Sequence, residues 1–135
     1  MSSNSQSVIL SEQDYDRLTK FLRLQGFKSS ALLAEKLATA ELRPQKEIPD
    51  DLVTMNSVVE FVDVETGKKH QVSLEYPFSS GVTENRISIL SPLGVEILGL
   101  RIGDSISWPT PTGRRKPYQV LRLIFQPEAA GKWDL

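Results

Sequence analysis

The stretch Ile87-Ser-Ile-Leu-Ser-Pro-Leu-Gly-Val-Glu-Ile-Leu-Gly-Leu-Arg-Ile-Gly-Asp104 decides the fold. Ile87 and Ile89 alternate with polar neighbours, the patterning of a strand. Ser91 can cap a helix through its hydroxyl, and Pro92 suits the first helical position, where no backbone N–H is needed. Leu93, Ile97 and Leu98 then make an apolar stripe at helical spacing. Gly99 can close the helix in the left-handed conformation, with Val95 and Leu100 placed for the accompanying apolar contact. Gly103-Asp104 is a turn signal before a strand over Ser105-Ile-Ser-Trp108. The element is strand, short helix, strand.

Working outward, Val58 to Val64 and Gln71 to Tyr76 flank Glu65-Thr-Gly-Lys68 and read as a β-hairpin. A loop over Ser79 to Asn85 leads into the strand-helix-strand element. Tyr118 to Phe125 forms a last strand, paired with Ser105 to Trp108 across a turn containing Thr112-Gly113. Upstream the hydrophobic period is helical. Ser11 can cap a helix with Asp14 three residues on, and Tyr15, Leu18, Phe21 and Leu22 recur on one face. Gln25-Gly26-Phe27 breaks that pattern. A second helix starts at Ser29 or Ser30, carries Leu33, Leu37 and Ala40, and ends before Pro44. So short a connection predicts an antiparallel hairpin. Helices of about 14 residues give it a reach of only about 20 Å.

Pro44-Gln-Lys-Glu-Ile-Pro-Asp50 is a polar, proline-containing connector, and the period changes from helical to β across it. The expected plan is α+β: a short N-terminal antiparallel helical hairpin over residues 1–43, a connector over 44–52, and an antiparallel β domain with one short helix over 53–135.

Composition narrows the function. Of 135 residues, 39% are hydrophobic and 24% charged, the balance of an ordinary soluble globular chain. A net charge of −1 argues against autonomous sequence-specific nucleic-acid binding, which calls for a basic face. The lack of cysteine rules out thiol catalysis, disulfides and cysteine-ligated zinc. No apolar run approaches the roughly 20 residues of a membrane helix, and Met1 to Ser7 lacks the pattern of a signal peptide. A cytoplasmic protein without membrane contact is expected.

Three separated segments carry a family resemblance: Val53-Thr-Met-Asn-Ser57, Gly99-Leu-Arg-Ile-Gly-Asp-Ser105 and Gln126-Pro-Glu-Ala-Ala-Gly131. Together with Ser91-Pro-Leu-Gly94 they resemble the Gre (GreA/GreB-type) family of bacterial transcription factors, and within it the short Rnk-type members. The resemblance covers nearly the whole chain. It implies a helical hairpin joined to an FKBP-like β domain, with RNA polymerase as the partner. In Gre factors a long coiled coil enters the polymerase secondary channel, and acidic residues at its tip help hold a catalytic magnesium that cleaves backtracked RNA. The corresponding turn here, with Gln25, Gly26, Phe27 and Lys28, has no carboxylate for a hard cation. Both this and the short hairpin oppose cleavage stimulation. The resemblance further implies that Ser91, Pro92, Leu93 and Gly94 dock on the polymerase near the mouth of that channel.

Other candidates weigh less. His70 is the single histidine and reads as an exposed strand residue beside Lys68 and Lys69. Asp50-Asp51 has no third acidic residue at ligand spacing and reads as a solvated start to the β domain. Arg114-Arg-Lys116 is the one dense basic run, and a solvated turn accounts for it; no aromatic is interleaved to stack bases. Trp108 alternates with Ile106 and reads as core. No phosphate loop, nucleophile elbow or metal cluster is present. The expectation is therefore a non-enzymatic, cofactor-free transcription regulator. The alternatives are a Gre factor with cleavage-stimulating activity and, on fold alone, a peptidyl-prolyl isomerase.

Overall fold

The structure, a computed structural model, describes residues 8–25, 31–76 and 85–132. In chain order it runs β1 (Ile9–Ser11), α1 (Glu12–Gln25), α2 (Ala31–Ala38), β2 (Glu41–Arg43), a 3-10 turn (Gln45–Glu47), β3 (Val58–Asp63), β4 (Lys69–Glu75), β5 (Arg86–Ser88), α3 (Pro92–Ile97), β6 (Ser105–Pro109) and β7 (Arg115–Phe125). This is an α+β architecture with a five-stranded sheet ordered β5-β4-β3-β7-β6.

β3 is the central strand and alternates strictly: Val59 and Phe61 are fully buried while Val58, Glu60 and Val62 are half-buried. It pairs antiparallel with β4 and β7, and β6 pairs antiparallel with β7. The β3–β4 turn is closed by Gly67, whose φ of +78° is left-handed. The Asp63 carboxylate accepts from the Glu65 and Thr66 amides at the same turn. Two register shifts between β3 and β7 leave Leu121 and Ile124 without a partner in the ladder, and both side chains are exposed.

The expectation of a wholly antiparallel sheet needs one correction. β5 pairs parallel with β4, Ser73 with Arg86 through Glu75 with Ser88. The strand signal at Ile87 and Ile89 was sound, but only Arg86–Ser88 is strand, since Ile89 and Leu90 already turn toward the α3 cap. A three-residue strand carries no sequence mark of its direction.

The N-terminal part differs more. α2 has eight residues in place of about 14. Thr39 turns its hydroxyl back to the Glu35 and Lys36 carbonyls, and the Ala40 amide bonds the Leu37 carbonyl. The chain then enters β2, which pairs parallel with β1. β2 falls where the second helix was expected to run on to Pro44, and β1 ends on the expected cap Ser11; three-residue strands are too short for alternation to show. Gly26, Phe27 and Lys28 lie outside the described residues, as does most of the loop expected over Ser79 to Asn85.

Leu18 and Leu22 of α1, with Leu33 and Leu37 of α2, bury into the same apolar cluster as Val59, Phe61, Leu74, Ile89 and Ile97. The helices therefore share one core with the sheet.

Candidate functional site

α3 is set by the local chemistry that its sequence announces. The Ser91 hydroxyl accepts from the Gly94 amide at 3.0 Å and donates to the Ser88 carbonyl at 2.7 Å. Pro92 occupies the first turn, and Gly99, at φ +91°, follows the helix. Two glycines are dictated by space. A Cβ on Gly94 would stand 2.0 Å from the Ser88 carbonyl oxygen, and one on Gly99 would stand 2.7 Å from the Val8 Cβ. Gly94 thus lets α3 lie directly on the end of β5.

Around this helix Pro92 is exposed, Ser91 and Leu93 are half-buried and Gly94 is buried. A shallow groove of about 630 Å³ runs on one side, between Leu32, Lys36 and Thr39 of the α2 segment and Pro92, Val95 and Glu96. A second, of about 540 Å³, lies on the other side, where Arg86, Pro109 and Arg115 face Pro92 and Leu93. Pro92 therefore stands as a ridge between two apolar-walled grooves, with Ser91 and Leu93 lining the second and Gly94 buried beneath. Leu32, at 54% exposure, extends the apolar surface from α2.

Lys36 was not anticipated. Its ammonium group crosses from α2 to donate to the Val95 carbonyl, and it approaches the Glu96 carbonyl at 3.4 Å. Desolvation pushes this amine down to about 8, partly opposed by the Glu96 carboxylate.

The three segments that carry the family resemblance meet in space. Val53 exchanges backbone bonds with Leu100 and Gly99, and Arg101 pairs with Asp51 at 2.8 Å. Gln126 donates to the Pro49 and Leu52 carbonyls at 2.8 and 2.6 Å. Thr54 donates to the buried Glu128 carboxylate at 2.8 Å, and Ser57 closes the Thr54 turn. Asp14 of α1, 2% exposed, joins this set by accepting from the Met55 amide at 3.1 Å. Burial pushes its carboxyl up to about 7; the Met55 hydrogen bond opposes the shift, nearby Glu128 adds to it, and Arg17 opposes it. Ser11 caps α1 as expected, accepting from the Asp14 amide at 2.9 Å. The destination of the Asp14 side chain had no sequence signal, because it lies 41 residues away.

The remaining candidates are structural. His70 is exposed, with its Nε2 3.2 Å from the Tyr118 hydroxyl. Trp108 stacks on Tyr118 and meets Phe61 edge-on, inside the core face. The basic run is not a shared patch. Arg114 pairs with Glu65, Arg115 with the Ser107 hydroxyl and carbonyl, and Lys116 with Asp63 at 2.7 Å. Gln25 closes α1. Among the described residues no group of three or more His, Asp or Glu could hold a metal ion, and no helix is long and apolar enough to cross a membrane.

Comparison with known proteins returns consistent relatives. A family model described as "Transcription elongation factor, GreA/GreB, C-term" matches residues 48–124. The chain is 36% identical over 133 residues to the "Regulator of nucleoside diphosphate kinase" of Escherichia coli strain K12, covering 96% of this chain and 97% of that protein. It is 38% identical over 68 residues to the "Transcription inhibitor protein Gfh1" of Thermus aquaticus, covering 49% of this chain and 43% of that one. Among solved structures, the "Prokaryotic transcription elongation factor GreA/GreB from Nitrosomonas europaea" superposes with a TM-score of 0.81 at 33% identity, covering 90% of this chain and all of that one.

Proposed function

Because this chain belongs to the GreA/GreB family of transcription factors, we propose that it is a non-enzymatic regulator that docks on RNA polymerase near the secondary channel without stimulating transcript cleavage. The observation that carries the reading is the α3 ridge. Ser91-Pro-Leu-Gly94, the segment that matches Gre factors, is capped, held against β5 by Gly94, and presents Pro92 to solvent between two grooves. An exposed, rigid apolar ridge is what a protein partner reads with little ordering cost.

Two features support the lack of cleavage stimulation. The segment Gln25-Gly-Phe-Lys28 has no carboxylate to recruit magnesium. And α1, with 14 residues, extends about 21 Å at 1.5 Å per residue, short for an arm that must enter a channel from a docked base. The antiparallel hairpin, the FKBP-like topology and the division at residues 44–52 belong to the same proposal.

The test is a backtracked elongation complex given this protein alone, then a cleavage-stimulating Gre factor with increasing amounts of it. No cleavage alone and progressive inhibition in the mixture are expected. Cleavage by the protein alone overturns the tip argument, and undiminished cleavage in the mixture overturns the shared docking surface.

A further inference from the structure

α3 is only six residues long, and its Val95 and Ile97 side chains bury in the core that the helices share with the sheet. On the sheet side it is held by the Ser88–Ser91–Gly94 bonds and by the close approach of Gly94 to β5. On the arm side Lys36 reaches across the groove to the Val95 and Glu96 carbonyls. Those carbonyls sit in the last turn of α3, where the partial negative charge of the helix end favours a cation. The amine is half-buried between the two helices, where it donates to these carbonyls. The bond joins residues 59 positions apart.

We propose that Lys36 is a positioning residue for docking: through it the helical arm holds the C-terminal end of α3, so that arm and docking ridge bind their partner as one unit. The inference rests on the docking reading above but assigns a role to a residue outside the Ser91–Gly94 segment. It also accounts for why the groove wall facing Pro92 comes from α2. Glu35 on α2 and Glu96 on α3 are the other charged groups lining this groove, while Arg86 on β5 and Arg115 on β7 line the groove on the other side of Pro92. Arg115 stands 4.0 Å from Glu96, whose carboxylate also acts on the Lys36 ammonium through space.

The experiment compares Lys36→Met, which keeps the alkyl stem, with Lys36→Arg, which keeps the charge. Amide exchange of the free protein is followed at Leu98 and Leu100, with Val59 and Val120 as sheet controls. Affinity for RNA polymerase is measured in parallel. Lys36→Met should speed exchange at the α3 amides about tenfold while the controls hold, as for loss of a charged hydrogen bond. Its polymerase affinity should fall about fivefold, and Lys36→Arg should recover most of both effects. Unchanged α3 exchange in Lys36→Met overturns the clamp. Faster exchange with unchanged affinity overturns the coupling. Equal loss in Lys36→Arg and Lys36→Met shows that charge is not what holds α3 and overturns the assignment. A wild-type protein that fails to bind polymerase refutes the docking reading itself, and is told apart because the exchange data are taken without polymerase.

Discussion

Replacing Asp14 by Asn should make the protein more stable at neutral and alkaline pH while leaving it nearly unchanged in acid. Asp14 is buried, and its carboxyl is pushed from 3.8 to about 7, chiefly by desolvation. Between those values the folded protein holds a proton that the unfolded chain has released. Stability from the neutral acid is therefore fully present below 3.8 and is lost as pH rises through about 7. A displacement of about 3 pH units at about 1.4 kcal/mol each corresponds to roughly 4 kcal/mol. Asn keeps the acceptor for the Met55 amide and cannot ionise, so the variant omits this penalty. Urea unfolding of both proteins at several pH values reads the difference directly. The gap should grow from near zero at about pH 4 to roughly 4 kcal/mol at about pH 8. At an m-value of about 2 kcal/mol/M that is a midpoint shift of about 2 M. Carboxylates distant from Asp14 titrate equally in both proteins and cancel. A gap that stays flat with pH, or one that grows toward acid, would refute the reasoning.

Gly94→Ala should destabilise the protein by about 3 kcal/mol or more, because the added methyl meets the Ser88 backbone oxygen at 2.0 Å and α3 must lift off β5; a thermal midpoint within a degree of wild type would contradict the packing. Ser91→Ala combined with Pro92→Ala removes a cap worth about 1 kcal/mol, which an ordinary domain survives, so the double variant should fold yet bind polymerase more weakly. Retained affinity in that folded variant would place the docking surface elsewhere. Asp63 is held down to about 2, chiefly by the Lys116 ammonium, so its contribution is present above the unfolded value of 3.8 and lost as pH falls toward 2. Asp63→Asn should accordingly show a shallower loss of stability in acid than wild type, read as the slope of midpoint against pH below about 4.

The elements legible in the sequence are those whose causes are local. Ser91, Pro92 and Gly99 punctuate α3 within nine residues, and the structure shows the cap bond that Ser91 promised. The β3–β4 hairpin and the β6–β7 pair follow from alternation and a glycine turn. Ser11 caps α1 for the same reason. The family, too, was legible, because its wording lies in short contiguous segments. What the sequence concealed has partners far along the chain. The parallel pairs β1–β2 and β4–β5 each contain a strand of only three residues, too short to mark its partner or direction. Asp14 read as half of a capping box, and Lys36 carried no sequence signal. Packing the helices onto the sheet buried the first against Met55 and carried the second to Val95, 41 and 59 residues away. A run of three cations likewise became three separate pairs, with Glu65, Ser107 and Asp63, once β7 was laid between its neighbours. Local backbone preferences act within a few residues and leave a sequence mark. The desolvation and pairing of charges depend on which surfaces meet, and only the assembled core decides that.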